Sequence, residues 1–415
     1  MILAGMGILL ALAVVLGVST GIISCHLSLS GLFARDDIPA DVKGDFRLIA
    51  EAWNTIQSHY VGRASLQPKK LTYGAISGMV DSLGDNGHST FLTPKMITQE
   101  RDFQKNKLEG IGAEVQMKSG HVVIVAPLDN SPASRAGLRP GDIILKVNGD
   151  TIAGLPLPQV VDRITGPPGT SVTLTIMTPV TGRIQDIALV RQAIRLDNVA
   201  WLRLPGTTLA HVRIASFSQD VAKHLRKALE SVKAERLTGI ILDLRNNPGG
   251  LLDEVIRAAS LFLAGGNVLL EKDVKGQVTP VPVLKGGLLL HLPMVVLVNG
   301  GTASAAEIMA GALKDARRAT LVGETTFGTG TVLKQFNLSD GSALLIATEE
   351  WLTPGGQTIW HKGVTPDVVL PLPPDASPTF PLAERGMTSA ELHSGGDTQL
   401  LRALELLARG PGMNQ

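Results

Sequence analysis

GIILDLRNNPGGLLDEVIRAASLFL, residues 239–263, decides the fold. Its opening GIILDLR is a nearly unbroken apolar run, the pattern of a strand buried on both faces of a parallel sheet. Asn-Asn-Pro-Gly-Gly then punctuates the chain as a turn. LLDEVIRAASLFL resumes with apolar residues at helical spacing. A parallel strand needs a crossover to its neighbour, so the flanking sequence should alternate, and it does. LAHVRIASF and DVAKHLRKALESVKA read as strand and amphipathic helix before the stretch. PMVVLVN, SAAEIMAGALKDA and ATLVGE read as strand, helix and strand after it. This order predicts an α/β domain with a central, mostly parallel sheet over residues 193–372. ALLIATEEWLTP is a late strand. Beyond Pro371 a Pro-rich segment, 373–415, ends in DTQLLRALELLA, a terminal helix.

The remaining chain has a different texture. At 415 residues it is long enough for several domains. In residues 99–192, EVQM, VVIVAP, DIILKVNG and SVTLTIMTP are short β-rich runs between Gly/Pro/Asn turns, and LPQVVDRI among them has helical spacing. Residues 31–98 hold a polar linker and then helical patterns in RLIAEAWNTIQSHYV and LTYGAISGMVDSL. GDNGHSTFLTP follows as a loop, and its His88 is either a base or a structural loop residue. The run from Ile2 to Ser24 has no charged side chain and is long enough to span a bilayer. With no basic n-region, residues 1–30 read as an uncleaved transmembrane anchor rather than a cleaved signal, with the rest of the chain outside the cytoplasm, in the cell envelope. IISC, ending at Cys25, leaves lipidation as a rival. A net charge of +1 and 4% aromatic residues give no footprint for nucleic acid. A single cysteine excludes a disulfide framework and a Cys-based zinc site.

Two stretches can carry chemistry. In DLRNNPGG, Asp243 to Gly250, paired glycines follow a strand and precede a helix. Backbone N–H groups there can approach a developing negative charge, or the glycines simply make a tight turn. NGGTASAAEI, Asn299 to Ile308, has the same strand–turn–helix form. Small neighbours leave Ser304 unshielded, and the N–H of Ala305 is placed as an oxyanion donor. Ser304 with Glu307 also fits a helix capping box.

GIGAEV (residues 110–115), AGLRPGDIILKVNG and GPPGTSVTLTI together resemble a PDZ domain. The resemblance implies a carboxylate-binding loop and groove strand at Gly110, Ile111, Gly112 and Ala113, which would take an extended peptide by its C-terminus. The longer series is GAISGMVDSLGDNGHSTFLTP, the PDZ-like module, ILDLRNNPGG, VNGGTASAAEIMAGALKDARRATLVGETTFGTG, TPGG and KGVTPD. From about residue 45 onward it resembles the carboxyl-terminal processing peptidases. That resemblance implies a serine endopeptidase acting on protein or peptide substrates without metal or cofactor. Ser304 would be the nucleophile, with Gly249 (or Gly250) and Ala305 forming the oxyanion hole. Homo-oligomerisation stays open.

The match departs at one place. The family's general base is the lysine of F-G-K-G-T-V-Q, oriented by the terminal glutamine. This chain has FGTGTVL, residues 327–333, with Thr329 and Leu333 at those two positions. A lysine whose pKa burial depresses can take a serine's proton, whereas a threonine hydroxyl cannot near neutral pH. His361 is the alternative base, with Lys362 beside it. Lys314 lies far along the helix, Lys334 points to the opposite strand face unless a bulge resets it, and Glu307 fits capping. The competing reading is a peptide-binding scaffold that kept the fold and lost turnover.

Overall fold

The structure, a computed structural model, describes residues 40–85, 89–104, 107–118, 120–179, 181–195, 198–373 and 376–408. The apolar run from Ile2 to Ser24, Cys25 and His88 lie outside them. Among the described residues no helix is long and apolar enough to cross a membrane. The chain divides after Gln67 into two compact units. The first carries the helix Lys43–His59 expected from RLIAEAWNTIQSH.

In the second unit six strands lie side by side in chain order. They are β1 (Val199–Arg203), β2 (Leu209–Ile214), β3 (Gly239–Asp243), β4 (Met294–Val298), β5 (Thr320–Gly323) and β6 (Val368–Val369). β1 is antiparallel to β2 and every later pair is parallel. Helices α1 (Val221–Ala234), α2 (Leu252–Ala259) and α3 (Ala305–Asp315) occupy the crossovers, and α4 (Thr398–Ala408) closes the chain. Side chains alternate across a strand, and the core follows that period. Ile240, Leu242, Val296 and Val298 pack with Leu225, Val255 and Met309 of α1–α3. Ile241, Val295 and Leu297 pack with Leu400, Ala403 and Leu404 of α4. Cover on both faces is why GIILD and MVVLV read as unbroken apolar runs. The helix expected from LLDEVIRAASLFL is shorter than its pattern. It stops at Ala259, and Leu261 to Leu263 stay buried beyond its end.

A second, antiparallel sheet was not apparent in the sequence. It joins Thr90–Leu92, Ala343–Leu352, Asn267–Asp273 and Val278–Pro282, with Thr331–Asn337 also paired to Ala343–Leu352. The stretch expected to be a loop therefore contains a strand. Phe91 is only 1% exposed there, held by a partner some 250 positions away that local pattern cannot reveal. The β-rich module forms a third sheet of Ala113–Lys118, His121–Pro127, Ile143–Val147, Ser171–Thr178 and Arg183–Val190 in that order, and the helix Leu157–Ile164 contributes Val160 and Ile164 to its core. Ala113–Lys118 stands at the edge of this sheet, the position at which an extended peptide can add as a strand.

Candidate active site

β4 delivers the chain to the turn 299–303, and α3 leaves it. Ser304 sits at the junction with φ 53 and ψ −121. A positive φ on a residue with a Cβ is strained, and such strain persists only where the surroundings over-determine it. The surroundings are the turn after β3. Thr302 Oγ1 donates to the Leu244 carbonyl at 2.8 Å, and the Ala303 N–H to the Asn247 carbonyl at 2.9 Å. Asn246 and Asn299 exchange hydrogen bonds, with Asn246 N–H on Asn299 Oδ1 at 2.9 Å and Asn299 Nδ2 on Asn246 Oδ1 at 2.7 Å.

Gly249 lies directly against Ser304. A Cβ at Gly249, where φ is +103, would stand 2.6 Å from Ser304 Cβ and 2.9 Å from the Ala305 nitrogen. Gly250 faces another way, since its Cβ would meet the Phe217 carbonyl at 2.4 Å. The Gly249 N–H is donated to Asn247 Oδ1 at 2.9 Å, and Asn247 Nδ2 to the Ile214 carbonyl at 2.8 Å. Ala305 contributes the first N–H of α3, a group that an α-helix leaves without an intrahelical acceptor.

Thr329 comes to the same place from the other side. The Phe327 N–H donates to the Thr302 carbonyl at 2.9 Å, which docks the loop. Thr329 Oγ1 accepts the Ser304 N–H at 2.9 Å. The hub of this side is Glu307, fully buried one turn into α3. It accepts five hydrogen bonds: from the N–H of Ser304, Gly328 and Thr329 at 2.9, 2.7 and 2.8 Å, and from the hydroxyls of Thr326 and Thr329 at 2.5 and 3.0 Å. Burial pushes its carboxyl above the ordinary value, against the pull of those donors. Sequence reading assigned Glu307 to capping. Its role as the link between Ser304 and the 326–329 loop depends on a contact across about twenty residues.

The other candidate bases go elsewhere. Lys314 Nζ donates to the Thr365 carbonyl at 2.5 Å and pairs with Asp367 at 3.4 Å. With Lys362 it lines a pocket of about 480 Å³ toward the far end of α3. A bulge does occur opposite Val332 and Leu333, but Lys334 pairs with Glu349 at 2.5 Å on an exposed face. Leu333 lies opposite Ala347 and is 36% exposed. His361 is exposed and stacks on Trp360, centroids 4.6 Å apart, while its backbone N–H donates to the Gly328 carbonyl at 3.0 Å.

Beneath the Gly249 turn lies a buried charge cluster. Arg245 grips Asp243 with contacts of 2.6 to 3.1 Å and Asp397 at 2.8 and 2.9 Å. His211 is held between Asp243, 3.2 Å from Nε2, and Glu384, 2.5 Å from Nδ1. Burial opposes a charged His211, but Glu384 and Asp243 outweigh it and raise its pKa to about 9. Burial likewise opposes a charged Asp243, yet Arg245, His211 and Arg213 hold that carboxyl well below its usual range. Arg213 reaches out of the cluster to Asp129 of the β-rich module, at 2.9 and 3.0 Å. Asp129 lies in the loop that braces residues 110–113: the Leu128 N–H donates to the Gly112 carbonyl and the Ala133 N–H to that of Ile111, at 2.9 and 2.8 Å. Gly110 and Gly112 have φ of +143 and +71, and a Cβ at Gly112 would stand 2.3 Å from Ser131 Cβ.

Comparison with known proteins agrees with this geometry. The model of peptidase family S41 matches residues 208–370, and that of the PDZ domain matches residues 100–177. The carboxy-terminal processing protease CtpA of Bacillus subtilis (strain 168) is 37% identical over 328 residues, covering 79% of this chain and 69% of the relative. The chain belongs to the carboxy-terminal processing proteases. The carboxy-terminal-processing protease of Bartonella bacilliformis is 38% identical over 312 residues, 74% of this chain and 71% of that one. Among solved structures, the photosystem II D1 C-terminal processing protease superposes with a TM-score of 0.66 at 30% identity, over 79% of this chain and 94% of that one. The processing-protease fold is thus the frame in which Ser304, Gly249, Ala305 and Thr329 converge. Sequence reading missed the charge cluster because its members lie far apart in the chain and nothing local marks a charged residue as buried.

Proposed function

We propose that this chain is a serine endopeptidase of the carboxyl-terminal processing type. The edge strand and loop at Gly110, Ile111, Gly112 and Ala113 take the carboxylate end of a protein or peptide substrate. Ser304 attacks a backbone carbonyl, and the N–H groups of Gly249 and Ala305 face the oxyanion. Collapse leaves an acyl-enzyme on Ser304 that water then hydrolyses. The observation that carries this reading is the strained elbow at Ser304 with Gly249 packed on its Cβ. In the free chain the Gly249 N–H rests on Asn247 Oδ1, a bond it must share once the oxyanion forms.

Around this centre the proposed layout is an anchor over 1–30, a linker and helical segment over 31–98, the PDZ module over 99–192, the peptidase core over 193–372 and a closing segment over 373–415. The uncharged run from Ile2 to Ser24 supports a membrane-anchored protein with its catalytic part in the cell envelope.

Hydrolysis of a labelled peptide with a free C-terminal carboxylate, beside the same peptide as its amide, tests the reading in the full chain. The free-acid peptide should be cleaved faster, and Ser304→Ala should abolish cleavage. Cleavage that survives Ser304→Ala overturns the assignment of the nucleophile. Peptide binding without cleavage, under varied pH, would instead identify a scaffold.

A further inference from the structure

Thr329 stands where the family's lysine would, and its hydroxyl has one proton and two acceptor lone pairs. The proton goes to Glu307 Oε2 at 3.0 Å, and one lone pair takes the Ser304 N–H at 2.9 Å. One lone pair remains. A gauche serine rotamer sets Oγ beside its own backbone nitrogen, the group Thr329 already touches. A rotamer on that side brings the Ser304 hydroxyl toward that second lone pair. The acceptor at the end of the relay is a carboxylate shielded from bulk solvent. Glu307 is fully buried, and all five of its partners are neutral N–H or O–H donors from Ser304, Thr326, Gly328 and Thr329. A buried carboxylate without a cation is the environment in which enzymes use Glu as a proton acceptor near neutral pH.

We propose that Thr329 and Glu307 act together as the base for Ser304, with the threonine hydroxyl relaying the proton. The inference rests on Ser304 being the nucleophile. As Ser304 Oγ bonds to the scissile carbon, the carbonyl electron pair moves to the oxygen facing Gly249 and Ala305. The Ser304 proton passes to Thr329 Oγ1, and the Thr329 proton passes to Glu307 Oε2. When the intermediate collapses, the C–N bond breaks and the same two protons run back, one of them to the leaving amine. Water repeats the cycle in deacylation. Glu307 ends unprotonated, and nothing is oxidised or reduced.

The test uses the full chain, peptide hydrolysis and labelling of Ser304 by a fluorophosphonate probe. Wild type and Ser304→Ala establish the nucleophile. Thr329→Val, which keeps the shape and removes the relay, should lower kcat at least 100-fold with little change in KM. Thr329→Ser, which keeps a hydroxyl, should restore kcat to within about tenfold of wild type. In wild type, kcat/KM should fall at low pH through a single group titrating above the ordinary glutamate range, and Glu307→Gln should remove that limb. Because Glu307→Gln can disturb folding at a buried site, the Val/Ser pair is the deciding comparison. Wild-type turnover that is lost in Ser304→Ala but kept in Thr329→Val overturns the relay and leaves the nucleophile standing. An inert wild type rescued by Thr329→Lys also overturns the relay, because the chain then lacks a base of its own.

Discussion

Two glycine-containing turns meet at Ser304, and different kinds of bond hold them. The 245–250 turn is over-determined. It has two ion pairs through Arg245, an asparagine exchange with Asn299, a backbone bond to Ala303 and a β-bridge to Phe217. The 326–330 turn is held by the Phe327 N–H on Thr302, by Glu307, and by backbone bonds that tie Thr326 to Val364, Gly328 to His361 and Gly330 to Trp351. The side proposed for the oxyanion is thus tied down by buried charges, while the side proposed for the base is tied by backbone bonds and one carboxylate. Thr329 falls on the second side.

The largest effect should come from breaking the first turn at its tightest point. Gly249→Ala forces a Cβ to within 2.6 Å of Ser304 Cβ at a φ of +103. Loss of one oxyanion donor alone costs roughly 100- to 1000-fold in kcat, and the clash adds to it. Turnover should fall below detection, while circular dichroism shows a folded chain. Next, Arg245→Met leaves Asp397 buried without its cation and Asp243 paired with His211 alone. Breaking such a pair costs about 3–5 kcal/mol, readable as a lower urea midpoint. An unchanged midpoint would show that the turn is not held from below.

A pH titration sharpens the same contrast. The folded pKa of His211, about 9, exceeds the ordinary 6.5. The native state therefore binds this proton more tightly than the unfolded state. Its stabilising share is complete below pH 6.5 and is lost as pH rises through about 9. The denaturation midpoint should decline across that window, and His211→Gln should flatten the decline. The smallest effect is expected at the link to the PDZ module. Asp129 is 19% exposed while Arg213 is 1% exposed and also donates to the carbonyls of Ile214 and Asp243. Asp129→Asn should cost about 1 kcal/mol, seen as a slightly lower Tm, and leave Ser304 labelling unchanged.

Much of the frame was legible because its signals are local. Parallel strands covered on both faces write themselves as apolar runs, and the α/β alternation followed. The strand–turn–helix form of NGGTASAAEI placed Ser304 at an elbow. The antiparallel sheet left no such trace. VTPVP carries two prolines, and Thr90–Leu92 is three residues long. VTPVP is a strand because it pairs in a hairpin with Asn267–Asp273, and Thr90–Leu92 because Ala343–Leu352, some 250 positions away, holds it. The candidate bases show the same divide. Lys314 and Lys334 are near the site in sequence and His361 and Lys362 come from a later loop, yet the group that contacts both Ser304 and Thr329 is Glu307, which the sequence assigns to capping.

The sequence by itself determined the family, the alternating elements of the parallel sheet and the strand–turn–helix elbow that carries Ser304. Those follow from short-range periodicity and from motifs a few residues long. Only the tertiary structure decided which charges are buried and what Glu307 touches. A carboxylate's solvation and hydrogen-bond partners are set by the whole packed surroundings, here by a segment about twenty residues away in the chain.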